Sequence, residues 1–168
     1  MSERILADTT QTTNESPEQP QPKYRAIGKF ERTLPKDRLV YLPKGFINNI
    51  PERSGVLVYD DRDEGKMRFY PDSVFETMVA QVKENPDADP EWLRVLNTGV
   101  ESTITDNGKL RLDKGFLEKA GIDQANNKLV LSGAGNSFVI RSAEQWAEWH
   151  ERTKHIGTYG PDGNIRYE

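Results

Sequence analysis

The chain has 168 residues, enough for one ordinary domain or two very small ones. Thirty per cent of it is charged and 35% hydrophobic, a thin apolar supply for which oligomerisation is a common remedy. There is no cysteine, which excludes disulfides, thiolate metal sites and thiol nucleophiles, and no apolar run approaches the roughly 20 residues a membrane-spanning helix needs.

The net charge of −4 hides an uneven layout. Residues 23–50 hold seven basic and two acidic side chains, a local +5. Residues 60–91 hold ten acidic and four basic ones, a local −6. Such polarity gives one face that attracts phosphate and one that repels it, although a solvated surface with chance clustering produces the same counts.

Residues 1–22 are rich in Thr, Gln, Glu and Pro without an apolar stretch. They read as a disordered tail, ending near residue 27, and as no signal peptide. Leu39-Val40-Tyr41-Leu42 follows as a short strand. A helical turn comes next, with Phe46 and Ile47 as its apolar side and Pro51 barring continuation. Val56-Leu57-Val58-Tyr59 returns as Met67-Arg68-Phe69-Tyr70, a hairpin across the turn-rich residues 60–65. Ser73-x-x-Glu76 has the form of a capping box, opening a helix with an apolar stripe of Val74, Phe75, Met78, Val79 and Val82. Asp89-Pro90 reads as an N-cap followed by proline at the first helical position, with Trp92, Leu93 and Leu96 inside and Gly99 just past the end.

The same succession then recurs. Lys109 and Arg111 alternate with Leu110 and Leu112, the period of a half-buried strand. Phe116 and Leu117 form the apolar side of a second helical turn, stopped by Gly121 in a left-handed conformation. Leu129-Val130-Leu131 returns as Phe138-Val139-Ile140, and Ser142-x-x-Gln145 opens a helix carrying Trp146 and Trp149. These two tryptophans, like Trp92, have the helical spacing of core residues. Residues 150–168, with four glycines and prolines between 157 and 163, read as a flexible tail.

Leu42-Pro43-Lys44-Gly45-Phe46-Ile47 reappears as Leu112-Asp113-Lys114-Gly115-Phe116-Leu117, an offset of 70 (114 − 44). Phe69 with Ser73-Val74-Phe75-Glu76 reappears as Phe138 with Ser142-Ala143-Glu144-Gln145, an offset of 69 (142 − 73). Two matches in one order and register indicate duplication. The expected organisation is a first repeat over 28–84, a connecting helix within 85–100 and a second repeat over 101–149.

The second copy, Thr105-Asp106-Asn107-Gly108-Lys109-Leu110-Arg111-Leu112 through Ala120-Gly121-Ile122, resembles the MraZ family pattern of an Asp-x-x-Gly-Arg turn, a strand, and a helix ending in Ala-Gly-Leu. The stretch from Leu129 to Ile140, followed by Trp146, is similar to that family's closing hairpin and helix. The first copy departs from the pattern: Leu34-Pro35-Lys36-Asp37-Arg38 has no glycine, and Pro43 lies one residue further from the arginine. In the second copy Lys109 stands where arginine is usual and Asp113 where proline is usual.

The resemblance implies an α+β fold of two tandem AbrB-like β-α-β units, packed as one pseudo-symmetric small β-barrel with flanking helices. It implies a ring-like homo-oligomer whose two loop-strand turns contact double-stranded promoter DNA, through Lys36 and Arg38 in the first turn and Asn107, Gly108 and Lys109 in the second. Arg111 joins them because it alternates with Lys109 on one strand face. Members of the family regulate the gene cluster for division and cell-wall synthesis, their own gene included, which implies a cytoplasmic, nucleoid-associated protein.

Other signals weigh less. Gly133-Ala134-Gly135-Asn136 lacks a Gly-Lys-Ser/Thr ending and leads into a strand, as a hairpin turn does. Residues 60–65 resemble a calcium loop in composition but not in register. His150 and His155 are five apart, where a helical zinc pair needs four. No nucleophile stands beside a base, so no enzyme, cofactor, metal or small-molecule substrate is expected. The alternative is an AbrB-fold protein-interaction module, an antitoxin-like scaffold without specific DNA binding, suggested by the acidic linker and the first turn's missing glycine.

Overall fold

A computed structural model describes residues 26–50, 52–62, 65–85, 87–154, 158–159 and 165–166. In chain order the elements are β1 (Lys29–Thr33), β2 (Leu39–Tyr41), α1 (Lys44–Asn49), β3 (Ser54–Asp60), β4 (Lys66–Pro71), α2 (Asp72–Glu84), α3 (Pro90–Asn97), β5 (Val100–Thr103), β6 (Lys109–Arg111), α4 (Lys114–Lys119), β7 (Lys128–Gly133), β8 (Phe138–Ser142) and α5 (Ala143–Thr153), then the two-residue strands β9 (Thr158–Tyr159) and β10 (Ile165–Arg166). The fold is α+β. No described helix is long and apolar enough to cross a membrane.

Six strands form one antiparallel sheet in the order β1-β7-β8-β4-β3-β5, while β2 and β6 pair separately as a short ribbon. Both expected hairpins are present, with Val56 opposite Tyr70 and Leu131 opposite Ile140. The order has a symmetry of its own. Exchanging β1 with β5, β3 with β7 and β4 with β8 reproduces it read from the other edge.

The pairing does not close the sheet into the expected pseudo-symmetric small β-barrel. Among the described residues β1 pairs only with β7 and β5 only with β3, so the sheet keeps two edges there. Its apolar face is covered by the ribbon and α1 and α4 as a second layer, which removes the need to join the edges.

Side-chain alternation along the strands builds two cores. On one face Leu57, Met67, Phe69, Leu129, Leu131, Phe138 and Ile140 meet Val40, Leu42, Phe46, Leu110, Leu112 and Phe116 from the ribbon layer. Phe138 stacks between Phe46 and Phe69, with ring centroids 5.2 Å from each. On the other face Val56, Val58 and Tyr70 lie beneath Val74 of α2 and Val95 of α3, with Phe75, Met78 and Trp92 packed alongside. Both faces of β3 are therefore buried, which accounts for its continuous apolar run from Val56 to Tyr59.

The helix ends follow local chemistry. Asp89 accepts the Trp92 N–H at 3.0 Å with Pro90 at the first position. Ser142 accepts the Gln145 N–H at 3.0 Å while its own N–H donates to the Gln145 side chain at 3.4 Å, completing the capping box. Asp113, in the place proline takes in the resembled pattern, caps α4 by accepting the Phe116 N–H at 3.1 Å. Gly121 has φ +72°, and the Gly121 and Ile122 N–H groups donate to Glu118 and Leu117, a left-handed helix stop.

Two expectations need correction. Ser73 does not cap α2; the helix begins at Asp72, and the Ser73 hydroxyl instead donates to the Glu52 carboxylate at 2.8 Å, because the N–H groups two and three residues on, where a cap reaches, already lie within the helix. Trp146 and Trp149 are not core residues. Both are only half-buried on α5, and their rings lie under cations, Lys29 Nζ at 4.1 Å and Arg141 at 4.5 Å. α5 itself runs on to Thr153, and Thr158–Tyr159 pairs with Ile165–Arg166. Residues 1–25, Pro51 and His155 lie outside the described residues.

Candidate nucleic-acid interface

Two strands absent from the sequence reading, β1 and β5, lead into the two expected turns. The turns open the two strands of the ribbon, whose antiparallel register sets Leu39 opposite Arg111, Val40 opposite Leu110 and Tyr41 opposite Lys109. Val40 and Leu110 point into the core, so alternation sends Leu39, Tyr41, Lys109 and Arg111 to the outward face together.

An antiparallel ribbon places its two leading turns at opposite ends. Between Arg38 and Leu42 lie four residue steps, about 13 Å at ~3.3 Å per step. At one end, Arg111 Nη1 donates to the Asp37 carbonyl at 2.8 Å and Arg38 Nη1 donates to the Leu112 carbonyl at 2.9 Å. Lys36 is exposed in the same turn. At the other end, Thr105 organises its turn: its hydroxyl donates to Asn107 Oδ1 at 2.6 Å and accepts the Lys109 N–H at 2.9 Å. Lys109 Nζ sits 4.5 Å above the Tyr41 ring, and Arg32 Nε donates to the Tyr41 carbonyl at 2.9 Å.

All six expected residues thus belong to this ribbon and its turns, in two groups. Lys36, Arg38 and Arg111 form one; Asn107, Gly108 and Lys109 form the other. Gly108 is buried with φ +83°, and a β-carbon there would come within 2.5 Å of Ile47, so it shapes the turn rather than offering a contact. Arg38 also has positive φ, at +63°. A groove of about 310 Å³ runs beside the first group, lined by Arg38, Arg111, Leu112 and Asp113 and by Val100 to Thr103 of β5.

Arg32 and Tyr41 escaped the sequence reading. Tyr41 is 56% exposed, unusual for an aromatic ring in a strand. The repeat offset of 70 was the available signal, since it maps Tyr41 onto Arg111 (111 − 41). It also maps Leu39 onto Lys109 and Arg38 onto Gly108, so Arg38 holds the glycine position of its turn and not the arginine position taken from the family pattern.

Chemically, the ribbon presents two guanidinium groups and two lysines on a rigid support. Each arginine spends one N–H on a carbonyl across the ribbon, which fixes its direction, and its remaining N–H groups have no partner among the described residues. Such groups suit phosphate oxygens and base-edge acceptors.

No family model matches the chain. The transcriptional regulator MraZ of Leuconostoc mesenteroides is 23% identical to it over 131 residues, an alignment that covers 76% of this chain and 87% of that protein.

Proposed function

We propose that this chain is a DNA-binding transcriptional regulator of the MraZ type, composed of two AbrB-like units and acting as a ring-like homo-oligomer on promoter DNA. The name of its relative supports transcriptional regulation in general. The palindromic strand order supports descent of the two halves, residues 28–84 and 101–149, from one unit.

The observation that carries the reading is the shared outward face of the ribbon, where Lys109 and Arg111 stand together and Arg38 and Lys36 flank them. An arginine fork can take guanine O6 and N7, while lysine offers a point charge to phosphate. One such ribbon neutralises few phosphates, and affinity for DNA comes mainly from counterions released at several. Copies of the ribbon around an oligomer raise the effective concentration of contacts, which lets a chain of net charge −4 hold a polyanion. The free edges of β1 and β5 are surfaces through which copies can associate. We place the protein at the nucleoid, regulating its own division and cell-wall gene cluster.

The test is a fluorescence-anisotropy titration of the full chain on DNA from upstream of its own reading frame, across a salt series. Binding that weakens steeply with salt, and weakens further in a Lys109→Ala, Arg111→Ala double variant with an unchanged circular dichroism spectrum, is the expected result. Equal affinity of the double variant removes the ribbon from the interface.

A further inference from the structure

A second cationic feature lies on the far side of the sheet from the ribbon. Alternation that sends Met67 and Phe69 into the main core sends Lys66 and Arg68 to the opposite face. Asp60 of β3 is the partner of Lys66 in register, and the pairing of Met67 with Ile140 brings Arg141 of β8 alongside. With Arg62 and Trp149 these residues line a cavity of about 420 Å³.

We propose that this cavity is a binding site for a small phosphate-bearing molecule. Its described lining carries four cations and one carboxylate. That carboxylate is already engaged. Arg62 grips both oxygens of Asp60 at 3.0 Å, and Lys66 Nζ lies 3.8 Å away. Arg62 is further occupied by Asp89 at 3.6 Å and by the Trp92 ring, 4.3 Å from its guanidinium carbon.

Arg68 stands apart from this network. Its Nη1 donates to the Tyr70 hydroxyl at 3.3 Å, and among the described residues no carboxylate pairs with it. Arg68 therefore lines the cavity as a guanidinium without a carboxylate partner among the described residues, a counterion that an anion in the cavity can supply. A guanidinium offers paired donors in the geometry that phosphate oxygens fit. The cavity is larger than a lone phosphate requires and falls within the range of about 300–1,000 Å³ typical of small-molecule sites. Trp149 supplies an aromatic wall for the organic part of the ligand.

The experiment titrates inorganic pyrophosphate into the DNA-free full chain, followed by calorimetry and tryptophan fluorescence, with adenosine monophosphate and glucose 6-phosphate as further arms to separate a nucleotide from a sugar phosphate. Saturable binding is expected, weakened at least about tenfold by Arg68→Gln and by the charge-conserving Arg68→Lys, and unchanged by Lys109→Ala with Arg111→Ala. Circular dichroism verifies that each variant is folded, and Arg68→Lys serves if Arg68→Gln is not. Absence of saturation by about 10 mM for all three probes overturns the proposal. So does binding that persists in both Arg68 variants or disappears in the ribbon variant. Because the readout contains no DNA, failure here leaves the regulator reading standing, and failure of that reading leaves this site untouched.

Discussion

Arg38 and Gly108 occupy the same position in their two turns. Both have positive φ, +63° and +83°, and each carbonyl accepts an N–H from the other half, Leu112 to Arg38 at 2.9 Å and Leu42 to Gly108 at 2.8 Å. The ribbon is thus closed at both ends by equivalent bonds, one through a glycine and one through an arginine. The left-handed region is open to glycine and strained for a residue with a β-carbon. In exchange for that strain, the Arg38 guanidinium reaches across the ribbon to Leu112.

Comparing two truncations at this site isolates the strain. Arg38→Ala and Arg38→Gly both remove the guanidinium and its bond to Leu112, but only alanine keeps the β-carbon at φ +63°. Arg38→Gly should be the more stable of the two by about 1 kcal/mol, despite glycine's greater freedom in the unfolded chain. Urea denaturation of both variants measures the difference. A more stable alanine variant contradicts the assignment of Arg38 to the glycine position.

Lys109 and Arg111 should differ in what their loss does to DNA binding. Lys109 Nζ, above the Tyr41 ring, is a point charge with one natural partner, a phosphate. Lys109→Ala should flatten the slope of log affinity against log salt by about 0.9, the contribution of one neutralised phosphate, and should weaken all sequences alike. Arg111→Ala removes a fork and should also narrow the gap between specific and random DNA. Parallel salt titrations on the two kinds of duplex distinguish these patterns; identical behaviour of the two variants contradicts the division of roles.

Much of this architecture was legible because it is local. Hairpins show in alternating apolar runs, and Asp89-Pro90, Gly121 and Ser142-x-x-Gln145 signal helix ends through groups within a few residues of one another. The strands β1 and β5 were not legible: Lys29–Thr33 and Val100–Thr103 carry few apolar residues because each is an edge with exposed positions. The cationic cavity was hidden for another reason. Lys66 and Arg141 are 75 positions apart (141 − 66) and meet only through strand register, as does the cross-ribbon partnership of Arg38 with Leu112. Ser73 misled because a serine three residues before a glutamate is equally compatible with a place inside the first turn, and Glu52, which it bonds, lies 21 positions away.

Asp60 should contribute a defined acid limb to stability. Burial pushes its carboxyl upward, but hydrogen bonds from Arg62 and the charges of Lys66 and Arg62 outweigh this and hold it below the ordinary carboxylate value. The unfolded chain therefore binds more protons in that range. The stabilisation is complete above the unfolded value, near pH 4, and fades as pH falls through the lower folded value. Asp60→Asn should be less stable than the parent at neutral pH, with the gap beginning to close below about pH 4 and gone only once pH has fallen past the lower folded value. Thermal melts from pH 2 to 7 provide the comparison. A gap that stays constant into acid shows that the carboxylate's charge is not what stabilises the fold.

Gly133 and Gly121 offer a final contrast, between crowding and backbone strain. A β-carbon at Gly133 would lie 2.1 Å from the Ala26 carbonyl oxygen and 2.5 Å from the Ile27 nitrogen, both backbone atoms that cannot swing aside. The segment they belong to is tied down: Ala26 and Gly135 exchange hydrogen bonds at 2.8 and 3.0 Å, and the Gly133 N–H donates to Gly28 at 2.8 Å. Gly121 has open space around it but φ +72°. Gly121→Ala should cost about 1 kcal/mol from its left-handed backbone alone. Gly133→Ala must displace residues 26–28 from the β7–β8 turn and should cost about 1–3 kcal/mol, as overpacking does. Amide exchange separates the two cases, since Gly133→Ala should expose the Ala26 and Gly135 N–H groups while leaving the α4 terminus protected. Should Gly133→Ala prove as stable as the parent, with Ala26 still protected, the chain before β1 is not held against the hairpin in the way described.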